Sequence, residues 1–520
     1  MGRELLQLPI GVQAFELLRT QGCLYVDKTA KLLELAGTVG RYFLSRPRRF
    51  GKSLTLSTLD AMFSGKAELF EGLAAESWVR EQAKHPCPVL RFDVSGLRPY
   101  STAEELDESL AGGLMDFARL HDLDIPQERT GGGMLLRIIH NLFRAGGPVV
   151  VLIDEYDKPI LDNMGNLEKA GVMRQTLRSF YTVLKSCDEY LRFVMLTGIS
   201  KFSKAGVFSA MNNLQDISML RRYGDIVGYT QPELEKNFAG WIADTAGVLS
   251  LKRGALLEKI KTYYDGFCFD GRTKLYNPFS ILNFFSGQEF RNYWYASGSS
   301  SFIVTYMKQH AIRSPEEYRH LEVSEGFADT QEIERAKPES FLYQSGYLTI
   351  EKKEEACLIL DYPNREVLDS LSRMYLEYVY HVESYVSMGS ELWWAMGDGD
   401  MEKAVELYNT ALAGIPYEDY QGQGESWYRS LFLMLLRGAG ITANGEVHTN
   451  RGRTDVTVRF PGQVIVLEFK YAKGSSDVDT MRREGERQIQ ERNDAYPYEA
   501  EGCQVMTAVL VINGEKREAV

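Results

Sequence analysis

Three consecutive residues, Gly51-Lys52-Ser53 in the stretch SRPRRFGKSL, have types that could bind a phosphate group. A phosphate-binding loop aims backbone N–H groups at the anion, with the positive end of a helix behind them. The lysine can reach the β- and γ-phosphates, and the serine hydroxyl can hold Mg²⁺. The spacing therefore predicts a nucleotide site in which Ser53 is a metal ligand.

Two acidic residues, Asp154 and Glu155, directly follow the apolar stretch VVVLI. At the end of a strand beside a phosphate loop, Asp154 can hold the metal through water and Glu155 can activate the attacking water. A lone GKS tripeptide is weak evidence, but GKS after one strand and DE after another is stronger. The alternative is a capped helix beside an ordinary acidic strand end.

The loop departs from the usual phosphate-binding pattern at Arg46, where a glycine is expected five positions before Gly51. Arginine adopts a positive φ less readily than glycine, and Pro47 restricts Arg46 to an extended conformation. We therefore expect the loop to begin with a wider or differently bent turn. Arg46, Arg48 and Arg49 could supply charge in compensation.

A second set of chemical residues, Asp455, Glu468 and Lys470, lies near the C-terminus in TDVTVRF and VIVLEFKYA. Side chains alternate along a strand, so Glu468 and Lys470 point to the same face. A turn at Pro461-Gly462 would bring Asp455 opposite Glu468, within one residue, because Pro-Gly is unusual in two-residue hairpins. Two such carboxylates can hold Mg²⁺ or Mn²⁺ while the lysine orients water. A solvated Glu468–Lys470 ion pair is the alternative, and spacing does not decide between them.

Elements that could position these residues follow from the hydrophobic pattern. The apolar strands RYFLS, PVLRFD, VVVLI and LRFVMLTGIS alternate with amphipathic helices, which predicts an α/β fold with a parallel sheet covered on both faces. An aromatic-rich helical region follows, and then helices, a hairpin, a charged helix and the strand QVMTAVLVI. We predict a nucleotide-binding domain over about residues 1–230, a mainly helical linking region over about 231–390, and a second α/β domain over about 391–520.

Bulk composition excludes several classes of protein. The net charge of −12 and the pI near 5.3 argue against a protein that coats nucleic acid. The six cysteines are scattered without a CxxC pair, which argues against a cysteine metal cluster or a disulfide framework. No secretory signal or long apolar span is visible, so we expect a cytoplasmic protein without a membrane segment.

Several stretches resemble the AAA-ATPase-like family of bacterial and archaeal proteins: SRPRRFGKS, YVDKT, LIDEYDKPI, TGISKFSK and NNLQDIS. The similarity is dense over about residues 8–230 and looser through YYDGF and YNPFS. In that family RPRRFGKS is the usual loop, so Arg46 is a family trait. The resemblance implies a P-loop NTPase-type domain that binds ATP with Mg²⁺. The residues expected to contact this cofactor are Arg48, Arg49, Phe50, Gly51, Lys52, Ser53, Leu54, Asp154 and Thr197.

Thr197 ends the strand LRFVMLTGIS and resembles the sensor residue of such ATPases, which contacts the γ-phosphate or the attacking water. A hydroxyl that caps a strand or helix end is an equally good interpretation. Arg221 and Arg222 are candidates for an arginine finger, although a surface arginine pair is usually a solvated face.

The sequence GRTDVTV followed by VIVLEFKYA resembles the core of the PD-(D/E)xK nuclease superfamily, whose domains are restriction-endonuclease-like. Members of the AAA-ATPase-like family often carry such a domain, here over about residues 410–515. The resemblance assigns Asp455, Glu468 and Lys470 to the core motif, Glu425 to the acid of the first helix and Gln488 to a trailing glutamine. Thr454 replaces the proline of the superfamily name, a tolerated substitution.

Together these features predict an ATP-binding protein, a Mg²⁺-dependent ATPase whose nucleotide state regulates a metal-dependent nuclease. Nucleic acid is the expected substrate, with DNA favoured over RNA, and a homo-oligomer is left open. The alternative is a nucleotide-controlled interaction or assembly protein whose nuclease-like domain is inactive. The acidic net charge favours that alternative, because it offers no broad footprint for nucleic acid.

Overall fold

The computed structural model describes residues 5–201, 213–296, 303, 306–308, 310, 314–328, 337–382, 385–448 and 453–520. Parts of the stretches TGISKFSK and NNLQDIS therefore lie outside the described residues. The chain forms two compact units, one of Met1–Phe302 with His320–Glu366 and the other of Ile303–Arg319 with Val367–Val520. The three-part division at about residues 230 and 390 stays a prediction.

A five-stranded parallel sheet forms the centre of the first unit, with strand order β2-β3-β4-β1-β5. Its strands are β1 (Gly40–Ser45), β2 (Val89–Asp93), β3 (Val149–Asp154), β4 (Leu191–Gly198) and β5 (Gln215–Asp216). The helices before and between these strands are Phe15–Thr20, Thr29–Ala36, Lys52–Phe63, Glu76–Gln82, Ala103–Leu120, Gly131–Gly146, Lys158–Leu161 and Leu167–Ser186. Every residue of β3 is buried, as expected for a strand covered on both faces. The predicted α/β fold is confirmed.

Helices and a small sheet make up the rest of the first unit. The helices are Gln231–Asn237, Ala239–Val248, Arg253–Tyr264, Pro278–Gly287, Tyr293–Ala296 and Pro338–Ser345. Aromatic residues such as Phe238, Tyr264 and Phe284 are fully buried in one cluster, so the aromatic density of this region serves packing. The sequence did not predict the antiparallel sheet, which has order β6-β8-β7 and consists of β6 (Leu321–Ser324), β7 (Thr349–Lys353) and β8 (Cys357–Asp361).

The second unit contains a mixed sheet with strand order β13-β12-β11-β10-β9. Its strands are β9 (Thr442–His448), β10 (Arg453–Phe460), β11 (Gln463–Ala472), β12 (Gln504–Asn513) and β13 (Glu518–Ala519). β11 and β12 are parallel, and the other neighbouring pairs are antiparallel. One helix, Arg365–Met374, begins at the change of unit between Glu366 and Val367. The helices after it are Tyr385–Asp398, Met401–Ala413, Glu425–Gly438, Val478–Arg492 and Tyr496–Ala500.

The β10–β11 hairpin has the predicted two-residue turn. Phe460 pairs with Gln463 across Pro461-Gly462, and Gly462 has a φ of 76°. A proline followed by a residue with positive φ is the arrangement of a type II turn. Because the ladder runs on to Val456↔Leu467, the next position places Asp455 beside Glu468.

Among the described helices, none combines the length and the apolar character that crossing a bilayer requires.

Candidate functional site

The loop between β1 and the helix Lys52–Phe63 has the geometry of an anion-binding turn. Gly51, directly before the helix, has a φ of 93°, and Arg49 has a φ of 65°. The first hydrogen bond into the helix runs from the Thr55 N–H to the Gly51 carbonyl (2.9 Å). The N–H groups of the first helical turn have no partner within a helix and can therefore serve a phosphate. The positive φ angles lie at positions 49 and 51, so Arg46 does not carry one.

Arg46 has a structural role. Its side chain is only 1% exposed, and its guanidinium lies 4.3 Å from the centre of the Phe269 ring. It donates hydrogen bonds to the carbonyl oxygens of Ser45, Ser218 and Tyr223. Arg48 and Arg49 line the cavity beside the loop, whereas Arg46 does not. This corrects the expectation that all three arginines supply charge to the ligand.

Lys52 is buried above the loop. Its Nζ donates to the carbonyl oxygens of Arg46 (2.9 Å) and Pro47 (3.1 Å). Burial lowers the pKa of Lys52, and the carboxylates of Asp154 and Glu155 oppose this effect. The ammonium thus satisfies carbonyls of its own loop, and the same N–H donors could bind a phosphate.

A cavity of about 400 Å³ lies against the loop, within the size range of small-molecule sites. The loop residues 48–54, Glu155 and Lys158 give it polar and charged walls. Much of the remaining lining is apolar or aromatic and includes Val12, Leu24, Tyr25, Val26, Ile226, Val227 and Tyr229. This composition suits a ligand with an anionic part and a flat, weakly polar part.

Residues at the ends of β3 and β4 meet beside this cavity. Asp154 is 4% exposed, and its Oδ1 accepts a hydrogen bond from the Thr197 hydroxyl. Glu155 lines the cavity in a left-handed conformation with a φ of 48°, and burial raises its pKa. Asp154 and Thr197 do not line the cavity. In the described part of the chain the Ser53 hydroxyl has no hydrogen-bond partner, so it is available to a metal.

Two further charged residues of this unit, Asp157 and Arg222, have partners within the protein. Asp157 accepts hydrogen bonds from the N–H groups of Ile199 (3.1 Å) and Ser200 (2.6 Å) and so holds the chain that leaves β4. Arg222 is exposed and forms an ion pair with Glu34. This pairing is compatible with a solvated face, and the arginine finger stays a prediction.

In the second unit, two buried acids lie side by side on β10 and β11. Asp455 accepts hydrogen bonds from Arg429 Nη1 and from the Phe469 N–H, each at 2.8 Å. Glu468 is 2% exposed, and its Oε1 accepts from Lys470 Nζ at 2.8 Å. Burial raises the pKa of Glu468. Its Oε2 has no hydrogen-bond partner among the described residues.

Two residues of this site were missed from the sequence. Arg429 follows Glu425 by one helical turn, so the shared face of the helix Glu425–Gly438 was an available signal. Asp494 is fully buried, and neither of its carboxylate oxygens has a hydrogen-bond partner. Burial raises the pKa of Asp494, and the Asp455 charge raises it further. No spacing in the sequence points to Asp494.

The remaining predicted residues, Glu425 and Gln488, make no hydrogen bond to these acids in the described part of the chain. Glu425 begins its helix, and burial and the Asp455 charge raise its pKa. Gln488 is half-buried on the helix Val478–Arg492 and makes no hydrogen bond to the acids in the described structure. One turn later on the same helix, Arg492 Nη1 lies 3.8 Å from Glu468 Oε1.

The chemistry of these donors fits a divalent cation. Both carboxylate oxygens of the buried Asp494 lack a hydrogen-bond partner, which is costly unless a cation or proton satisfies them. Oxygen ligands of this kind suit Mg²⁺ or Mn²⁺. Within the described ranges, however, no three of these acids bring ligand atoms within 4.8 Å of one another. A cation held by three of these acids would therefore require side-chain movement.

Comparison with known proteins assigns both parts of the chain. A family model described as "Predicted AAA-ATPase" matches residues 9–208, and one described as "PD-(D/E)XK nuclease superfamily" matches residues 423–520. A protein of Azotobacter chroococcum mcd 1, "Uncharacterized protein in vnfD 5'region", is 34% identical over 527 residues, covering 99% of this chain and 98% of that protein. The chain belongs to the AAA-ATPase-like family. Its C-terminal part is a domain of the PD-(D/E)XK nuclease superfamily, as the sequence predicted.

Solved structures resemble this AAA-ATPase-like chain only distantly. The Aeropyrum pernix ORC2 protein (ADPNP-ADP complexes) gives a TM-score of 0.29 at 12% identity, covering 67% of this chain and 91% of that chain. The Aeropyrum pernix ORC1 protein in complex with DNA gives a TM-score of 0.24 at 11% identity, covering 66% and 92%. Scores this low carry no argument about fold or function.

Proposed function

We propose that this AAA-ATPase-like protein binds and hydrolyses Mg-ATP at the Gly51–Ser53 loop, and that its nucleotide state regulates a metal-dependent nuclease in the second unit. One observation carries the proposal. A single cavity of about 400 Å³ is lined by a helix N-terminus, by Lys52 and by the strained acid Glu155. These are the parts that ATP hydrolysis requires.

Each residue of the nucleotide site has a role in this proposal. Backbone N–H groups at the start of the helix bind phosphate oxygens, and Lys52 moves from the loop carbonyls onto the phosphates. Ser53 and Asp154 hold Mg²⁺, which, when bound, supplies positive charge beside the phosphates. Glu155 orients and deprotonates the attacking water, and its raised pKa matches that task. Thr197 fixes the Asp154 carboxylate through its hydrogen bond.

The nuclease site has a comparable division of roles. Asp455 and Glu468 hold Mg²⁺ or Mn²⁺, and Lys470 positions or deprotonates the water that attacks the phosphodiester. Glu425, at the helix N-terminus, and Gln488 orient groups around the two acids. The substrate is nucleic acid, with DNA favoured over RNA.

One observation favours a second function. Arg429 and Lys470 already satisfy one oxygen each of Asp455 and Glu468, as in a structural ion-pair network. In that case the nuclease-like domain is inactive, and ATP controls association with a partner or with further copies of the chain.

A cleavage assay separates these functions. Labelled single- and double-stranded DNA and RNA are incubated with Mg²⁺ or Mn²⁺, with and without ATP. Glu468→Gln should abolish cleavage, whereas Glu491→Gln, a matched change at an exposed acid of the helix Val478–Arg492, should not. If ATP changes the cleavage rate of the wild-type protein but not that of Lys52→Met, nucleotide binding regulates the nuclease.

Other outcomes decide against parts of the proposal. A cleavage rate that is the same with and without ATP would mean that the two sites act independently. Protein that binds ATP but cleaves none of the four substrates would refute the nuclease. ATP-dependent changes in size-exclusion elution would then support the interaction protein.

A further inference from the structure

A histidine and two carboxylates meet on the small sheet of the first unit, away from the motifs that the sequence singled out. His320 Nδ1 lies 2.8 Å from Glu351 Oε2 and 3.5 Å from Asp361 Oδ2. One potential ligand atom from each residue lies within 4.8 Å of the other two. The distances allow all three atoms to contact one metal ion.

Asp361 stands at the end of the central strand, β8, and both neighbouring strands bring a side chain to it. Leu321 pairs with Leu360, so His320, one residue earlier, lies beside Asp361. Asp361 is 9% exposed at its side chain, and its Oδ1 accepts a hydrogen bond from the Tyr362 N–H at 2.7 Å. The other oxygen, Oδ2, faces His320. The central ligand is thereby fixed in orientation.

Both flanking residues depart from regular strand geometry. The register of β7 against β8 shifts between Ile350 and Lys352, which makes Glu351 the extra residue of a β-bulge. A bulge changes the direction of a side chain and is frequent beside functional sites. His320 has a left-handed backbone with a φ of 49°. Two separate irregularities therefore turn Glu351 and His320 toward the same carboxylate.

An ion pair alone does not account for this arrangement. The side chains of His320 and Glu351 are 61% and 43% exposed, and ion pairs between exposed side chains contribute little to stability. A non-glycine residue held in a left-handed conformation is strained, so the surrounding structure must hold it there. A bound metal ion contributes far more than one exposed pair, and it uses all three groups at once.

We propose that His320, Glu351 and Asp361 form a binding site for a divalent transition metal, with Zn²⁺ as the preferred ion. Imidazole nitrogen and carboxylate oxygens are both ligands that Zn²⁺ takes in proteins, whereas Mg²⁺ and Ca²⁺ prefer oxygen alone. The metal takes the place of the proton on Nδ1. Because His320 and Glu351 are exposed, the ion can enter from solvent, and water completes the coordination shell.

Zinc binding by the full-length chain tests the proposal. Protein carrying Glu468→Gln, which weakens the C-terminal metal site, is stripped with chelator and titrated with Zn²⁺ without nucleotide, and bound zinc is counted by mass spectrometry after equilibrium dialysis. His320→Asn in this background should bind one zinc fewer. Asparagine tolerates the left-handed backbone, and the position is exposed, so the fold should be preserved. Glu351→Gln should weaken this zinc at least tenfold.

The exposed histidine His85 provides a matched control, since His85→Asn should leave the stoichiometry unchanged. Co²⁺ offers a second readout, because its visible absorption reports nitrogen and oxygen ligation and should be lost in His320→Asn. Equal zinc binding with and without His320 would overturn the proposal, and so would a parent protein that binds no zinc. The site is separate from the nucleotide and nuclease sites, so either result leaves the proposed function untouched.

Discussion

Replacing Lys52 by methionine should weaken Mg-ATP binding about 10- to 150-fold. A hydrogen bond from a charged donor contributes about 1.5–3 kcal/mol, and each 1.4 kcal/mol changes a dissociation constant tenfold. The net gain when Lys52 binds a phosphate is one such bond. Nζ already donates to the carbonyls of Arg46 and Pro47 at 2.9 and 3.1 Å, and it loses these bonds when it turns to a phosphate. Methionine has a similar length and cannot donate, so the buried volume is kept.

The affinity is measured by calorimetric titration of ATP at fixed Mg²⁺ and salt, with Lys158→Met as the matched control. Lys158 lines the same cavity and its loss changes the net charge equally, but its Nζ is paired with Asp162 at 2.9 Å. We expect the control to weaken binding less than about threefold. An equal loss in both variants would mean that Lys52 acts only through overall charge. A Lys52→Met protein within threefold of wild type, with an unchanged circular-dichroism melt, would refute the assigned role.

Three further predictions follow from the contacts and pKa shifts described above. Glu155→Gln should retain ATP binding but lose at least about 100-fold in phosphate release. Burial raises the pKa of Glu155, so wild-type hydrolysis should slow as the pH is lowered, because the protonated carboxyl cannot act as a base. A hydrolysis rate that neither the substitution nor the lower pH changes would show that another residue is the base. Arg429→Met should lower the free energy of unfolding, measured with urea in the presence of a chelator, by about 3–5 kcal/mol, because the buried Asp455 carboxylate loses its charged partner. Adding Mg²⁺ should restore part of this stability. A stability that Mg²⁺ does not change would argue against a cation at Asp455. Burial raises the pKa of Glu366 from 4.5 to about 8, so its contribution to stability is fully present below pH 4.5 and is lost as the pH rises through about 8. At about 1.4 kcal/mol per pH unit the loss of stability approaches about 5 kcal/mol. The variant Glu366→Gln can still accept a hydrogen bond from the Trp294 N–H and pair with Ser280. It should therefore lack this pH dependence when urea unfolding is compared at pH 5 and pH 8.5.

The main elements of both sheets were predictable because they depend on local pattern. Apolar runs of four to eight residues fix buried strands, and the start of the helix Ala103–Leu120 is also local, because Thr102 and Glu105 form a capping box there. The same locality placed Gly51-Lys52-Ser53 at a helix start and Asp154 at a strand end. A two-residue turn at Pro461-Gly462 determines the hairpin register, so Asp455 and Glu468 were correctly predicted to be neighbours.

Tertiary structure decided which partners these residues have. The packing of separate elements decides three findings: the burial of Arg46, the hydrogen bond from Arg429 to Asp455, and the lack of partners for the Asp494 carboxylate. The periodic pattern of a local stretch of sequence does not contain this information. The same holds for the small sheet, whose short strands lie in a region of helical and aromatic pattern. His320 reaches Glu351 and Asp361 only because three strands pair and one of them bulges. Sequence alone determines the local elements, while contacts across long separations arise only when folding brings those elements together.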